Sequence, residues 1–408
     1  MKSKWPIKRL SEVAEIEMGQ SPKGSSYNTL GEGIPLINGP VEFGKTPFSR
    51  TKTTKFTTEP TKICKVGDLI LCVRGSTTGR MNIAGYESCI GRGVASIRSE
   101  KYQDWINFFI HTNRETIYRL GSGATFPNVS GAILAKLEIP IPPEAEQKRL
   151  VSIVDQAFEG IDRAIANTQK NLTNTRELFE SYLNAIFTQK GDRWKWVSLS
   201  EITTNITDGN HQPPPKSEFG IPFITISNIH KRDRTVDFSN TFKVLPEYFE
   251  KLKDSWKPRK GDLLYTVTGS YGIPVVVDHY INFCFQRHIG LIRPNNETNS
   301  KCLYYILLSR HLLKQADDCA TGTAQKTVSL NALRRFSVPK IPKEEQEVIV
   351  AELDVLSAKI RRLETVYQQK LAALNELKQS ILQKAFTGEL TADNANQATK
   401  AAKEVIAA

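Results

Sequence analysis

The sequence lacks the residue patterns on which several classes of protein depend. Its six cysteines, at positions 64, 72, 89, 284, 302 and 319, form no C-x-x-C pair. No H-E-x-x-H motif is present, and no histidine stands near two cysteines or acidic residues at a metal-ligand spacing. We therefore expect reduced cysteines in the cores of the fold and no metal site on this chain.

Long hydrophobic runs are also missing. A stretch such as residues 273–277 falls far short of the roughly 20 apolar residues that span a membrane. Residues 1–6 carry positive charge, but no apolar segment follows them as it would in a signal peptide. These features predict a soluble protein that stays in the cytoplasm.

Catalytic signatures are scarce. There is no G-x-G-x-x-G, no G-x-S-x-G and no N-P-P-[FYW] motif of the kind that amino-methyltransferases use. Residues 39–46 fit the phosphate-binding pattern G-x-x-x-x-G-K-[ST]. That pattern requires a helix directly after it, and residues 47–54 form no apolar helical stripe. A binding function is the default prediction, with a P-loop nucleotide hydrolase as an alternative.

Positive charge is what the chain has in excess. Its 408 residues include 55 Lys and Arg against 43 Asp and Glu, which gives a net charge of +12. Hydrophobic residues make up 39% of the chain, enough for packed cores. A length of this order predicts two to four domains.

The chain contains an internal repeat. Gly-Asp-Leu occurs at 67–69 and again at 261–263, an offset of 194 residues. Val-Ser at 129–130, Glu-Gln at 146–147 and Phe-Thr at 187–188 all return 199 residues later. The segment that corresponds to residues 39–46 lacks the glycines of the phosphate-binding pattern, which weakens the P-loop interpretation. Two copies of about 199 residues therefore fill nearly the whole chain.

Each copy has a front and a back of different character. The fronts, residues 1–143 and 191–342, carry short β-rich runs separated by Gly, Pro and Asn turns, which predicts mixed α/β domains. The backs carry apolar residues at alternating spacings of four and three, which predicts two long heptad helices that pack on each other. Thr168 and Thr175 complete the spacing in the first back. The predicted seam consists of Ile161, Ile165, Leu172, Phe179, Tyr182, Ile186, Leu353, Leu356, Ile360, Leu363, Tyr367, Leu374, Leu377 and Ile381.

The excess charge lies in the fronts only. Residues 1–143 hold 19 basic and 12 acidic side chains, and residues 191–342 hold 21 and 14, so each front carries +7. Residues 144–190 hold 6 basic against 7 acidic side chains, and residues 343–408 hold 9 against 10. Two equally basic domains joined by nearly neutral helices indicate two copies of a surface that binds a polyanion.

These motifs, in this order, resemble the specificity (S) subunits of type I restriction-modification systems. The resemblance covers about 390 residues and is most specific at the two Pro-x-x-Pro-x-x-Glu-Gln junctions, residues 140–147 and 339–346, and at the closing Phe-Thr-Gly-Glu-Leu, residues 386–390. It implies target recognition domains at 1–143 and 191–342. It also implies an antiparallel coiled coil of the helices at 144–190 (central spacer) and 343–387 (distal spacer), followed by a flexible tail at 388–408.

The same resemblance implies a chain without catalytic residues or a cofactor of its own. Its partners would be double-stranded DNA, two methyltransferase (M) subunits that carry S-adenosylmethionine, and restriction (R) subunits that use ATP and Mg²⁺. The assembled complex would then methylate DNA adenine and cleave DNA at the expense of ATP. A specificity subunit whose partner fuses methylase and nuclease in one chain is an alternative within this class, and a protein-binding coiled-coil scaffold is an alternative outside it.

A two-copy chain with antiparallel helices should read two half-sites of opposite orientation, and the half-sites should differ because the loops differ. Arg is suited to guanine and Asn to adenine, while most Lys should bind phosphates. The candidate DNA-binding residues of the first domain are Lys23, Tyr27, Asn38, Lys45, Arg50, Lys52, Lys55, Arg74, Ser76, Thr78, Arg80 and Arg92. Those of the second domain are Asn210, His211, Lys216, Asn228, Lys231, Arg232, Arg234, Thr268, Ser270, Tyr271, Arg287 and His288.

Overall fold

The computed structural model describes residues 5–123, 126–189, 193–212, 214–323 and 325–390. Its internal contacts divide the chain into two compact units. Unit 1 comprises Met1–Gln169 and Gln368–Ala408, and unit 2 comprises Lys170–Tyr367. Most of the expected tail, residues 391–408, lies outside the described residues.

Unit 1 is built from short strands and short helices, as its β-rich runs and turn residues predict. Its helices are α1 (Gln103–Thr112), α2 (Arg114–Leu120) and α3 (Gly131–Ala135). Its strands are β1 (Ile7–Arg9), β2 (Glu15–Met18), β3 (Tyr27–Asn28), β4 (Ile34–Ile37), β5 (Phe56–Thr57), β6 (Ile63–Cys64), β7 (Leu69–Cys72), β8 (Met81–Ile83), β9 (Ser88–Ile90), β10 (Val94–Arg98) and β11 (Glu138–Pro140).

Two sheets form the body of unit 1. One is antiparallel in the order β2-β10-β7-β8, with every residue of β7 buried. The other has the order β3-β5-β4-β9-β6, and in it β4 and β9 run parallel. Parallel neighbours end at the same edge of a sheet, so the loops after β4 and β9 emerge together. Strands β1 and β11 form a separate antiparallel pair.

Unit 2 contains a similar set of elements, with one additional short helix, Pro246–Glu250. Its helices are α5 (Pro246–Glu250), α6 (Ser300–Leu308), α7 (Arg310–Cys319) and α8 (Leu330–Arg334). Its strands are β12 (Lys195–Ser198), β13 (Thr203–Asp208), β14 (Ile221–Ile224), β15 (Ile229–His230), β16 (Thr235–Val236), β17 (Phe242–Val244), β18 (Leu263–Thr266), β19 (Pro274–Val276), β20 (Cys284–Phe285), β21 (Ile289–Pro294) and β22 (Ser337–Lys340).

The topology of unit 2 repeats that of unit 1. The order β13-β21-β18-β19 matches β2-β10-β7-β8, and the pair β12-β22 matches β1-β11. The parallel pair β14-β20, which lies in the sheet β17-β14-β20, matches β4-β9. The internal repeat in the sequence is therefore a repeat of the fold, and the prediction of mixed α/β domains with long helices is confirmed.

Both long helices follow the predicted bounds closely. Helix α4 spans Glu144–Gln189 and α9 spans Lys343–Thr387. Each begins after a proline-containing junction whose glutamine is buried. Gln147 Nε2 donates to the carbonyl oxygen of Pro142 at 2.7 Å, and Gln346 Nε2 donates to that of Ile341 at 2.8 Å. The repeated Glu-Gln pair thus supplies, through its glutamine, a side-chain donor that satisfies a carbonyl just before the helix.

In unit 1 the first part of α4 packs with the last part of α9 and with the front domain. Lys378 forms an ion pair with Asp162, and its Nζ lies 4.6 Å from the centre of the Phe158 ring. The Phe386 ring, at the end of α9, lies 4.5 Å from that of Trp105 in α1. One hydrophobic core therefore combines both helices with the front domain of unit 1.

Unit 2 repeats this packing with the other helix halves. Arg176 pairs with Glu364, and the Tyr182 hydroxyl donates to Glu352. Residue numbers fall along α9 as they rise along α4, so the two helices run antiparallel within this unit. Leu353 is fully buried in the core of unit 2. The helices therefore pack on each other, as the heptad spacing predicted. They also pack into the domain cores, which the spacing did not predict.

Burial along the helices matches most of the predicted seam. Only Leu363 is exposed, with 42% of its surface accessible, so its place on the seam stays a prediction. The other predicted seam residues are buried or half-buried: Ile161, Ile165, Leu172, Phe179, Tyr182, Ile186, Leu353, Leu356, Ile360, Tyr367, Leu374, Leu377 and Ile381. The four predicted domain boundaries stay a prediction, and residues 190–192 at one of them are outside the described part of the chain.

Candidate nucleic-acid interface

In unit 1, candidate side chains meet where the parallel strands β4 and β9 end. The N–H of Gly91 donates to the carbonyl of Ile37 at 2.9 Å, which joins the loops after the two strands. Asn38 lies against Gly91, because a Cβ added to Gly91 would fall 1.8 Å from Asn38 Oδ1. The next N–H, of Arg92, donates to Ser21 Oγ at 3.2 Å. Asn38 and Arg92 therefore occupy the same edge of the sheet.

The loop after β7 reaches the same edge. The N–H of Val73 donates to the carbonyl of Gly93 at 3.0 Å, so the residues that follow Val73 lie beside the Arg92 loop. Arg74, Ser76, Arg80 and Arg92 are exposed, and Asn38 is half-buried. We call these five residues cluster 1. Three arginines, one amide and one hydroxyl form a surface suited to phosphate oxygens and base edges.

Unit 2 forms the corresponding edge with the same backbone hydrogen bonds. The N–H of Gln286 donates to the carbonyl of Ile224 at 2.9 Å, and that of Val267 to the carbonyl of His288 at 2.9 Å. Asn210 donates its N–H to Phe285 and accepts the N–H of Arg287, each at 3.1 Å. We call Asn210, Lys231, Ser270, Arg287 and His288 cluster 2.

Part of cluster 2 lines a groove of about 400 Å³. Lys231, Ser270 and His288 contribute to its walls, together with Ser227 and Gln325. Isoleucines 226, 229 and 273 supply its apolar lining. Burial and the neighbouring Arg287 lower the pKa of His288, so its imidazole is neutral at pH 7 and offers one donor and one acceptor.

Arg92 and Arg287 are equivalent residues of the repeat. Each stands two positions after the strand that runs parallel to its neighbour, β9 in one unit and β20 in the other. Both are exposed. This equivalence is hidden in the sequence because the front parts of the two copies differ in loop length, so a constant offset does not align them.

The remaining candidates of unit 1 lie outside cluster 1. The segment with Lys45, Arg50 and Lys52 runs along β8, where the N–H of Thr51 donates to the carbonyl of Ile83 at 2.8 Å. Lys55 Nζ lies 5.9 Å from the centre of the Tyr27 ring, beside strands β3 and β5. Lys23 is exposed just before them.

The remaining exposed or half-buried candidates of unit 2 lie at four places. Arg232 and Arg234 stand, with Lys231 of cluster 2, on the turn between β15 and β16. His211 Nε2 lies 3.1 Å from Asp208 Oδ2, and Lys216 Nζ lies 5.3 Å from the centre of the Phe242 ring. The hydroxyl of Tyr271 donates to Asp317 Oδ1 at 2.7 Å.

Three candidates are buried and hold loops in place. Thr78 Oγ1 donates to the carbonyl oxygens of Gly75 and Pro127 at 2.9 and 3.2 Å. Asn228 Oδ1 accepts the N–H of Thr225 at 2.9 Å, and Thr268 Oγ1 lies 3.3 Å from Thr327 Oγ1. Their exposed fractions are 1%, 6% and 8% for Thr78, Asn228 and Thr268. Side chains so enclosed do not reach a base in this conformation, which corrects their predicted role.

The phosphate-binding pattern at residues 39–46 does not form a phosphate site. A single 3-10 turn, Pro40–Glu42, follows the strand, and residues 43–55 contain no helix. Glu42 is 3% exposed, and its Oε2 accepts the N–H groups of Asn38 and Gly39 at 3.2 Å each. A carboxylate of the protein thus occupies the donors that a phosphate would need.

Cysteines and possible metal ligands add no reactive centre among the described residues. Cys64, Cys72, Cys89, Cys284 and Cys302 are buried, Cys319 is half-buried, and all six are free thiols. Burial raises the pKa of Cys64 and Cys72 to about 11, which keeps these thiols protonated. No group of three or more His, Cys, Asp or Glu is arranged to hold a metal ion in the described ranges. None of the described helices is long and apolar enough to cross a membrane.

Three residues that lie beside the clusters, Ser21, Ser227 and Gln325, are not among the candidates predicted from the sequence. The first two are serines in turns, and no spacing distinguishes them from other surface serines. Gln325 did carry a signal, because it stands three residues before the repeated Val-Ser pair at 328–329. Phe126 holds the same position in the first copy.

Residues 2–174 and 192–373 match the family described as the type I restriction modification DNA specificity domain. The chain belongs to this family, whose members recognise DNA within type I restriction-modification systems and carry no catalytic centre. Each of the two matches covers one copy of the internal repeat.

Similar proteins support the same assignment. The chain is 27% identical over 426 residues to the EcoKI specificity subunit of Escherichia coli K12, covering 95% of this chain and 89% of that protein. It is 32% identical over 191 residues to the putative MjaX specificity subunit of Methanocaldococcus jannaschii, covering 46% of this chain and 43% of that protein. A solved chain from a study of type I restriction-modification complex assembly shares the fold, with a TM-score of 0.75, 20% identity and coverage of 95% of this chain and 98% of that one.

Proposed function

We propose that this chain reads a bipartite, asymmetric DNA target, with cluster 1 at one half-site and cluster 2 at the other. One observation carries the proposal. The same loops, held by the same backbone hydrogen bonds, present different side chains in the two units. Identical scaffolds give the half-sites a related geometry, and different side chains give them different base sequences.

Arg92 and Arg287 would supply corresponding contacts in the two half-sites. An arginine can bind guanine O6 and N7 together, and an asparagine can bind adenine N6 and N7. Asn38 and Asn210 are the candidates for the second contact. The exposed lysines outside the clusters, such as Lys45 and Lys216, would bind phosphates and add affinity without sequence preference.

The partners and cofactors of the proposed complex come from family membership. The chain would bind two M subunits, which hold S-adenosylmethionine, and would recruit R subunits, which hold ATP and Mg²⁺. This chain would hold no cofactor and would act inside the cell. The long helices α4 and α9 would set the distance between the half-sites.

The test uses the complex assembled with its M subunits. Methylation mapping in a host that expresses the complex should yield one split target of two different half-sites. On a duplex with that target, affinity should fall about 10³-fold or more between roughly 50 and 200 mM salt, because six or more neutralised phosphates release their counterions.

Arginine variants separate base reading from general charge. Arg92→Ala and Arg287→Ala should each relax recognition in one half-site only. Arg119→Ala, which removes an exposed arginine of α2, is the matched control and should leave the target unchanged. Methylation without a split target, or an affinity insensitive to salt, would contradict the proposed function.

A further inference from the structure

A backbone pair of the same design lies beside each of the two clusters. In unit 1, Ser122 and Asn128 exchange backbone hydrogen bonds of 3.1 and 2.8 Å. In unit 2, Thr321 and Thr327 exchange bonds of 3.0 and 2.8 Å. The residues of each pair are six positions apart, and the second residue of each pair directly precedes the repeated Val-Ser pair. We use the names tip hairpin 1 for the described residues 122, 123 and 126–128, and tip hairpin 2 for the described residues 321–323 and 325–327.

The tip hairpins are fastened to the cluster loops in the same way. The N–H of Gly75 donates to Pro127 O at 3.2 Å, and that of Gly269 donates to Lys326 O at 2.9 Å. Gly75 lies between Arg74 and Ser76 of cluster 1, and Gly269 precedes Ser270 of cluster 2. Each tip hairpin is therefore hydrogen-bonded to the loop that carries the candidate DNA-binding residues.

Glycine shapes both hairpins. Gly123 has φ +146° and Gly322 has φ +113°, a backbone conformation that residues other than glycine rarely adopt. A Cβ added to Gly123 would fall 2.2 Å from the carbonyl oxygen of Phe126, and one added to Gly322 would fall 2.4 Å from that of Gln325. In both tip hairpins the glycine lies close to the carbonyl oxygen of the residue three positions later. Phe126 and Gln325 therefore hold equivalent backbone positions.

The two equivalent positions present opposite chemistry. Phe126 exposes 55% of its surface, and among the described residues its ring stacks on no other aromatic ring. Gln325 is exposed, and its amide donates to and accepts from no group in the described part of the chain. Gln325 Nε2 would lie 3.5 Å from a Cβ at Gly269, so the amide sits over the cluster 2 loop and at the wall of the groove.

We propose that Phe126 and Gln325 are the residues through which the tip hairpins contact base pairs, Phe126 by apolar contact in one half-site and Gln325 by hydrogen bonds in the other. The proposal rests on the function proposed above. A glutamine amide can pair with adenine N6 and N7, and a phenylalanine ring can contact the thymine methyl group. The tip hairpins would therefore contribute directly to the difference between the half-sites.

Variants of Gln325, measured in the complex with M subunits, test the proposed hydrogen bonds to a base. Gln325→Ala should lower discrimination at one base pair of one half-site by roughly 5- to 150-fold and leave the other half-site unchanged. Gln325→Glu should shift the preference at that base pair from adenine to cytosine, because a carboxylate accepts from cytosine N4. Both results are measured as ratios of binding constants for duplexes with single substitutions, after methylation mapping.

Variants of Phe126 test the proposed apolar contact with a base. Phe126→Ala should weaken discrimination at one base pair of the other half-site, and Phe126→Leu should retain part of it. In the double exchange Phe126→Gln with Gln325→Phe, each half-site should change at one base pair. Tyr86→Ala, which removes an aromatic ring that is 52% exposed, and Asn282→Ala, which removes an exposed amide, are the matched controls and should leave the target unchanged.

The outcomes separate this inference from the proposed function. If the unmodified complex methylates a split target and every tip variant keeps that target, the tip hairpins do not read bases and the inference is overturned. It is also overturned if the tip variants lose M subunits in size-exclusion chromatography while the remaining complex keeps its target, since the hairpins would then contact protein. A complex without any target contradicts the proposed function itself.

Discussion

Asp68 and Asp262 explain why Gly-Asp-Leu occurs twice. Asp68 accepts two hydrogen bonds from the Arg98 guanidinium, at 2.8 and 2.7 Å, and Asp262 accepts two from Arg293, at 2.9 and 2.8 Å. Both carboxylates are nearly inaccessible, with 2% and 3% exposure. A buried carboxylate needs such a bidentate partner, so each copy retains the pair that joins the turn to the neighbouring strand.

Tyr265 presents the opposite case of a polar group without a partner. It is fully buried in unit 2, and its hydroxyl is the one buried side-chain polar atom in the described residues that has no hydrogen bond. Leu71 stands at the equivalent position of unit 1, 194 residues earlier. Tyr265→Phe should therefore raise the free energy of unfolding by about 1 kcal/mol, measured by urea denaturation, because it removes an uncompensated desolvation cost.

Tyr305 is the matched control for that substitution. It is 4% exposed, and its hydroxyl donates to Asp354 Oδ1 at 2.7 Å. Tyr305→Phe removes a hydrogen bond to a charged group and should lower the free energy of unfolding by about 1.5 to 3 kcal/mol. Equal losses in the two variants would mean that the Tyr265 hydroxyl is bonded after all.

His111 makes the stability of unit 1 depend on pH. Burial, together with the positive charges of Lys378 and Arg114 and against the opposing effect of Asp162, lowers its pKa from 6.5 to about 4. The unfolded chain therefore binds this proton more readily than the folded one, so stability is complete above about pH 6.5 and is lost as the pH falls toward 4. Between pH 7 and about 4.5 the loss should be on the order of 2 kcal/mol.

Chemical denaturation of His111→Gln checks this assignment. The variant should lose about 2 kcal/mol less than the unmodified protein over that pH interval, because its side chain does not titrate. His230→Gln, at an exposed position of unit 2, should follow the unmodified protein. An unchanged pH dependence in His111→Gln would assign the effect to other groups.

At the scale of elements, the long helices explain two polar seam residues. Thr168 and Thr175 interrupt the apolar spacing of α4, yet they are 3% and 8% exposed. The Thr168 hydroxyl donates to the carbonyl of Ala164, and that of Thr175 to the carbonyl of Asn171, both at 2.7 Å. Because the helix backbone satisfies these hydroxyls, the helix buries them without leaving a donor unpaired.

Leu353 and Leu363 test which seam positions stabilise the helices. Both fit the heptad spacing, but Leu353 is fully buried and Leu363 is 42% exposed. Leu353→Ala should lower the free energy of unfolding by about 3 kcal/mol, and Leu363→Ala by about 1 kcal/mol or less, in urea denaturation. Leu353→Met, which nearly conserves volume, should cost less than about 1.5 kcal/mol. Similar losses in the two alanine variants would favour the heptad spacing over the observed packing.

At the scale of the whole molecule, the proposed role of α4 and α9 as a spacer predicts how insertions act. The boundary between the units falls after Gln169 in α4 and after Tyr367 in α9. Seven residues inserted at both places would keep the seam orientation and add about 10 Å of helix. At about 3.4 Å per base pair, the gap between the half-sites should grow by about three base pairs, with the half-site sequences unchanged and some loss of affinity.

Methylation mapping of the double insertion decides this prediction. Inserting seven residues in α9 alone should instead make the two helices unequal in length, so that their paired positions no longer align. Methylation should then fall at any target. The spacer assignment is wrong if the double insertion changes the bases recognised or leaves the gap as it was.

Much of this organisation was readable from the amino-acid order. The repeat, the bounds of the two helices, the equal charge of the two fronts and the family all follow from residue types at fixed spacing. Such patterns are local, because a heptad stripe or a Gly-Asp turn is determined by residues a few positions apart. The phosphate-binding pattern at residues 39–46 could be judged from local sequence as well, because the helix that it requires would have to follow directly.

Tertiary structure alone decided which polar residues face outward. Thr78 and Arg80 stand two positions apart in one loop, yet the first is 1% exposed and the second is exposed. The loop is held by Pro127, 49 residues away from Thr78, and no local spacing encodes that contact. Other hydrogen bonds between distant residues, such as Gly91 to Ile37 and Gln286 to Ile224, make Arg92 and Arg287 equivalent positions of the two units. Loop conformation depends on partners far apart in the chain, so sequence spacing predicted the scaffold and the folded chain determined which side chains form clusters 1 and 2.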